Sequence, residues 1–203
     1  MFITFEGIDG CGKSTQLELL TARLKEVSYS VLTTREPGGT ELAETIRNYL
    51  LHSASPLDAR AELLLFGASR AAHVAQIIRP GLATHDFVLS DRFTDSSLAY
   101  QAGGLGLDRD FILRMNEFAT QNLQPDITFF LDLDPHTAST RRATEIEDRI
   151  EKRGKNFQTK VHDEYLKVAR ENQNRIVTLN AEYAREELHE QIISILQNRG
   201  IQF

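Results

Sequence analysis

The sequence predicts an α/β fold, a five-stranded parallel sheet with helices on both faces. Three observations predict it. Five short apolar runs, at residues 2–5, 31–33, 87–90, 127–131 and 176–179, recur along the 203 residues. The stretches between them are helix-forming where they are periodic, and strands alternating with helices demand parallel pairing with both sheet faces covered. A glycine-rich turn joins the first run to the first helical pattern.

Taken in order, residues 2–5 (Phe-Ile-Thr-Phe) are β-prone and open the first strand. The turn after it, Gly7-Ile8-Asp9-Gly10-Cys11-Gly12-Lys13-Ser14, fits the phosphate-binding pattern G-x-x-x-x-G-K-[ST] at every fixed position. From Thr15 to Glu26, Leu17, Leu20, Leu24 and the following Val27 recur at spacings of three and four, an amphipathic helix. Strand, glycine loop and helix together give the motif its mechanism. Glycines let backbone N–H groups curl around phosphate oxygens, and the helix N-terminus adds a favourable dipole. Lys13 would reach the β- and γ-phosphates of a nucleoside triphosphate and the Ser14 hydroxyl would sit on Mg²⁺. Cys11 in this loop is either a thiol of lowered pKa at a helix N-terminus or, more plainly, a small filler.

The second strand is ended by the turn signal Glu36-Pro37-Gly38-Gly39, with a helix expected from about residue 40 to 51. Pro56 opens a longer helix through Leu63, Phe66, Ala71 and Ile78, expected to stop near Pro80-Gly81. The third and fourth strands close on Asp91 and Asp132, and a C-terminal helix is expected from about residue 185 to 197. One domain spanning 1–203 accounts for the length, without repeat, low-complexity tract or linker. A net charge of −6 argues against a nucleic-acid partner, and no run is apolar enough for a membrane span. An N-terminus that enters a strand at once leaves no room for a secretory signal, and a lone cysteine suits a reducing, cytoplasmic compartment.

Ligands of open parallel sheets gather at the carboxyl ends of the strands, so the residues just past each strand carry the chemistry. Asp91 is placed to hold Mg²⁺, directly or through water, and Arg92 is a planar cation suited to phosphate; a structural ion pair is the alternative for either. If helical, Ser97, Tyr100 and Gln101 share one face, a polar surface for a ring or sugar, or else a solvated helix face. Phe66 and Arg70, four apart, could stack on and hydrogen-bond a heterocyclic base; a core phenylalanine beside an exposed arginine is the plainer alternative. Residues 141–155 are about two-thirds charged, with Arg141, Arg142, Arg149 and Arg153 among Glu145, Glu147, Asp148 and Glu151. Such a run is a solvated, salt-bridged helix or a lid that closes arginines over a transferring phosphate.

Five blocks, FEGIDGCGKST at 5–15, TREPGGT at 34–40, LLLFGASRAAH at 63–73, SDRFTDSSLAYQ at 90–101 and PDITFFLDL at 125–133, resemble bacterial thymidylate kinase in order and spacing. The resemblance implies a P-loop NTPase three-layer fold with an arginine-rich lid near 141–155. It also implies transfer of the ATP γ-phosphoryl group to dTMP, giving dTDP and ADP in dTTP synthesis for DNA replication. Residue by residue, it implies an ATP site at Gly7, Ile8, Asp9, Gly10, Cys11, Gly12, Lys13, Ser14 and Thr15, with Asn180 and Ala181 beside adenine. Phe66 would stack on thymine and Arg70 would bond its O4 edge, with Ser97 and Gln101 lining the base pocket and Tyr100 packing where a 2′-hydroxyl would intrude. Arg92 and Arg47 would hold the acceptor phosphate, and Asp9 would meet the sugar 3′-hydroxyl or the Mg²⁺ shell. Glu36 and Asp91 would sit near the metal, and Arg142 or Arg149 would serve the transferring phosphate. The family further implies a homodimer formed through helices beside the sheet. Two rivals are a kinase for another nucleoside monophosphate and a nucleotide-dependent switch or partitioning ATPase. A guanine-specific switch needs an N-K-x-D signature, which the chain lacks, and Gly7 stands where the partitioning type has a lysine.

Overall fold

The computed structural model describes residues 1–143 and 148–203, so Glu145 and Glu147 of the expected lid lie outside the described residues. Five strands form one parallel sheet: β1 (Phe2–Glu6), β2 (Val31–Arg35), β3 (Phe87–Asp91), β4 (Ile127–Asp132) and β5 (Ile176–Asn180). Their order is β2-β3-β1-β4-β5. β1, β3 and β4 are mostly apolar and are buried almost throughout, whereas β2 and β5 at the edges are only partly covered. From central β1 the chain goes out to the edge strand β2 and returns to β3 between them, then crosses to β4 and β5 on the other side of β1. That reversal opens a crevice past the carboxyl ends of the strands.

Nine α-helical segments flank the sheet among the described residues: α1 (Lys13–Glu26), α2 (Glu41–His52), α3 (Ala59–His73), α4 (Arg79–Thr84), α5 (Thr94–Ser97), α6 (Arg109–Thr120), α7 (Pro135–Arg141), α8 (Lys155–Glu171) and α9 (Arg185–Asn198). α1 seats Leu17, Leu20 and Leu24 on the sheet, and α9 packs beside it through Leu188, Ile192 and Leu196. Thr40 caps α2 by accepting from Ala43 N at 3.1 Å.

Four expectations need correction. α3 begins after Asp58, whose carboxylate accepts from Arg60 N at 2.9 Å, and not at Pro56. The same helical path does not stop near Pro80-Gly81. It passes through a π-turn at Val74–Ile78 and continues as α4 to Thr84. Pro80 follows directly on the π-turn, in which Arg79 N donates to Val74 O five residues back. Gly81 lets α4 pack closely on β2 and β3, where a Cβ would crowd the Leu32 and Val88 side chains. Third, α5 runs into a π-helical stretch, Leu98–Gly104, so the face carrying Ser97, Tyr100 and Gln101 is buried and not solvated. Fourth, the charged run 141–155 is not one helix among its described residues. α7 ends at Arg141, a 3₁₀ turn occupies Glu151–Arg153, and α8 starts at Lys155.

Candidate active site

The glycine loop is shaped by its backbone. Gly7, Gly10 and Gly12 have φ of 140°, 87° and 96°, and a Cβ on Gly7 would lie 2.7 Å from Leu131 O. Lys13 is buried at 6 % exposure, its Nζ donating to Ile8 O at 3.0 Å and lying 3.8 Å from Asp9 Oδ1. Ile8 is buried beneath the loop, while Gly10, Gly12, Ser14 and Thr15 line the cleft above it. Cys11 is buried too, and burial pushes its thiol up, which leaves the filler role and removes the reactive one.

Ser14 Oγ donates to Asp91 Oδ2 at 2.8 Å, and Asp91 Oδ1 is buried with no hydrogen-bond partner among the described residues. A hydroxyl beside an unsatisfied carboxylate oxygen is a hard-oxygen donor set. It fits Mg²⁺, which takes one or two protein oxygens and fills the rest of its shell with phosphates and water. Among the described residues no group of three or more His, Cys, Asp or Glu could hold a metal without such phosphates.

Arg92 lies past β3 with φ of 71°, a left-handed conformation that a non-glycine residue keeps only where its surroundings hold it. Its Nη1 donates to Ser96 Oγ (3.1 Å) and Tyr165 Oη (3.0 Å), and its Nη2 to Asp9 Oδ1 (2.6 Å) and Tyr100 Oη (3.1 Å). Burial alone would raise the Asp9 carboxyl, but Arg92 and Lys13 hold it well below the usual carboxylate range. Beneath Arg92 lies Glu6, which sequence reasoning missed. Its buried carboxylate accepts from Phe93 N (2.7 Å), Ser96 Oγ (2.6 Å) and Tyr165 Oη (2.8 Å), tying the strained turn to β1. Burial pushes the Glu6 carboxyl up to about 7.

A cavity adjoins this cluster. Its walls include Phe66, Arg70, Ser97, Tyr100, Gln101 and Arg47. Arg70 is not an exposed arginine beside a core phenylalanine. It is 2 % exposed and donates to Glu36 Oε2 (2.7 Å), Ser97 Oγ (2.8 Å), Asn116 Oδ1 (2.7 Å) and Phe93 O (3.0 Å). Those bonds use four of its five N–H groups. Glu36 also pairs with His73 Nδ1 at 3.1 Å, so its carboxylate is engaged by Arg70 and His73, and these hold it ionised against burial. His73 and Asn116 carried no signal in the sequence beyond helical periodicity.

The phosphate cleft continues from the loop past Arg35, Arg47, Arg92, Arg141 and Arg142. Burial and the nearby charge of Arg35 lower the pKa of Arg47, the mark of a cationic pocket that an anion would relieve. Of the two candidate lid arginines, Arg142 packs against Gly10 and pairs with Glu151. Arg149 lies on the other side of the cavity, donating to Leu50 O (2.7 Å) and Glu62 Oε2 (2.6 Å). Ala181 is buried, and its carbonyl accepts from Arg141 Nη2 at 3.0 Å, while Asn180 ends β5 in the open. Arg35, Glu62 and Tyr165 were not predicted as site residues, and Arg141 was named only as one of the arginines of the charged run.

The glycine loop, the carboxylate at the end of β3 and a polar cavity thus adjoin one another, with Asp9 and Arg92 lining both the cleft and the cavity. The family model for thymidylate kinase matches residues 5–192. The chain belongs to the thymidylate kinase family. It is 43 % identical over 209 residues to a thymidylate kinase of Prosthecochloris aestuarii, covering 98 % of this chain and 94 % of that protein. It is 45 % identical over 204 residues to one from Chlorobaculum tepidum, covering 96 % of this chain and 95 % of that one. A crystal structure of thymidylate kinase from Ehrlichia chaffeensis superposes with a TM-score of 0.80 at 38 % identity, covering 97 % of this chain and 98 % of that chain. The fold inferred from five apolar runs and one glycine loop is therefore this family's P-loop fold.

Proposed function

We propose that this enzyme transfers the γ-phosphoryl group of ATP to the 5′-phosphate of dTMP, giving dTDP and ADP. One observation carries the choice of acceptor. A buried, four-fold bonded Arg70 keeps one N–H for a base oxygen in a cavity that also offers the Phe66 ring and the polar groups of Ser97 and Gln101. A planar heterocycle with a carbonyl edge fits that set. The Tyr100 ring lies under the Arg92 guanidinium at 5.0 Å, closing the wall on the side where a sugar joins base to phosphate.

An acceptor phosphate dianion is itself a nucleophile, so the reaction asks for alignment and charge neutralisation without a general base. Lys13 and the loop N–H groups would bind the donor phosphates, with Ala181 and Asn180 bordering the adenine. Arg92 and Arg47 would hold the acceptor phosphate, which displaces Asp9 from Arg92 and frees its carboxylate toward the sugar or the metal shell. Arg142, beside Gly10, would meet the transferring phosphate. Mg²⁺, held by Ser14 and Asp91, would supply further charge neutralisation when bound; Glu36 would act from beyond its ligands. Closing the cleft would exclude water that otherwise hydrolyses the nucleotide.

We further propose a cytoplasmic homodimer with no membrane or nucleic-acid partner. Leu42, Leu64, Phe111 and Phe118 are exposed on the adjoining helices α2, α3 and α6, an apolar face that a second copy would cover. Among the described residues no helix is long and apolar enough to cross a membrane.

Arg70→Lys tests the acceptor site. It keeps a cation beside Glu36 but removes the planar fork. KM for dTMP should rise about tenfold or more while KM for ATP stays within about twofold, on the scale of one lost hydrogen bond. Equal losses in both constants, measured by coupled ADP release, would contradict a base contact.

A further inference from the structure

The base-reading face of α3 carries a third residue. Glu62, Phe66 and Arg70 recur at four-residue intervals and so lie along one stripe. Glu62 is fully buried, and its carboxylate collects three side chains from two directions. From the cavity wall, Gln101 Nε2 donates to Oε1 at 3.2 Å. From the stretch before α8, Arg149 Nη2 donates to Oε2 at 2.6 Å, and Arg153 donates through Nη1 to Oε1 at 3.1 Å and through Nη2 to Oε2 at 2.5 Å. Arg149 is itself fixed by Leu50 O through Nε and by Leu51 O through its backbone N–H.

A side-chain amide is polar at both ends, and only its neighbours decide which end faces a ligand. An ionised carboxylate can only accept, so Glu62 compels the Gln101 NH₂ group to face it. The Gln101 carbonyl oxygen is then left toward the cavity, with no protein donor among the described residues. Burial would by itself raise the Glu62 carboxyl, but the hydrogen bonds from Arg153 and Arg149 outweigh it and keep the group ionised. Arg70 lines the same cavity and keeps one N–H unused by protein acceptors, so with the Gln101 oxygen the wall has one acceptor and one donor to offer. That pair complements an imide, in which a ring N–H adjoins a carbonyl. It mismatches cytosine, where a ring acceptor adjoins an amino donor.

We propose that Glu62 is a specificity-positioning residue, which presents the Gln101 carbonyl to the imide edge of the acceptor base and is itself held by Arg149 and Arg153. This rests on the reading of the cavity as the acceptor-base site. Glu62 touches no reacting atom. Its effect passes through Gln101 and belongs to recognition of the base, with the ATP side untouched.

The test is a double-mutant cycle of Glu62→Gln and Gln101→Ala, read as the ratio of kcat/KM for dTMP to that for dCMP. Wild type should strongly favour dTMP. Glu62→Gln, of the same shape but able to donate as well as accept, should lower the ratio about tenfold through KM for dTMP, with KM for ATP unchanged. Gln101→Ala should lower it similarly, and the double variant should fall no further, because both changes remove the same contact. A ratio at the wild-type value in Glu62→Gln, or a double variant that loses the product of the two effects, overturns the proposal. If Glu62→Gln does not fold, Arg153→Met tests the same link from the partly exposed side, and an unchanged ratio there also overturns it. A wild type without preference for dTMP over dCMP overturns the acceptor reading itself and the Glu62 proposal with it, a failure visible before any variant is made.

Discussion

Lys13→Ala is expected to lower kcat by about 10³-fold, the scale of losing one preorganised cation at a transferring phosphoryl group. The amine is almost fully buried in the glycine loop, 3.0 Å from Ile8 O and 3.8 Å from Asp9, so it is already desolvated and aimed. Charge developing on the transferred group would meet a fixed cation at no further cost in reorganisation. The acceptor cavity is lined by other residues, and Lys13 is not among them. Affinity for dTMP, measured by calorimetry without ATP, should therefore stay within about twofold, less than one hydrogen bond carries. A variant that retains wild-type kcat in a coupled ADP-release assay would contradict the role given to Lys13.

Arg92→Gln is expected to have a larger effect on the acceptor, raising KM for dTMP about 10²-fold as well as depressing kcat. Arg92 is bound to Asp9, Tyr100, Ser96 and Tyr165 at once, with its backbone in a left-handed turn held by Glu6. Removing the guanidinium takes away a cation for the acceptor phosphate and leaves Asp9 with Lys13 as its nearest cationic partner. Lys13 would be drawn from the donor phosphates toward that carboxylate, which couples the two losses. Lys13→Ala should therefore lower kcat without raising KM for dTMP, whereas Arg92→Gln should change both. An Arg92→Gln enzyme that melts like wild type and keeps its KM for dTMP would show that the phosphate is held elsewhere.

The contrast between these residues also marks how far the sequence could be read. Lys13, Ser14 and the glycines were legible because phosphate binding imposes residue types on consecutive backbone positions, and β1 and α1 supplied the context. The sheet was legible because its central strands are short, mostly apolar runs. α6 and α8 were overlooked, although Asp108 caps the first and Phe157, Val161, Tyr165 and Val168 give the second a clear apolar spacing. With them went Asn116 and Tyr165, which act on Arg70 and Arg92 from the far side. Glu6 and Glu62 were illegible for a deeper reason. Each is one carboxylate whose partners lie about 40 to 160 residues away, and only the packed fold makes it an acceptor for several donors at once. Similarly, nothing local separates Arg142 from Arg149. Glu151 holds the first near the glycine loop and Glu62 holds the second across the cavity.

On the proposed function, the cavity beside the phosphate loop selects thymidylate. Purified enzyme with ATP and Mg²⁺, offered dTMP, dUMP, CMP, UMP, AMP and GMP in parallel and followed by ADP release, tests it most directly. The highest kcat/KM is expected for dTMP, with values about 10²-fold lower or worse for the purine nucleotides and CMP, whose edges mismatch the Arg70 and Gln101 pair. UMP should also be poor, because Tyr100 closes the wall where its 2′-hydroxyl would lie. A purine or cytosine nucleotide used as well as dTMP would contradict the proposed function.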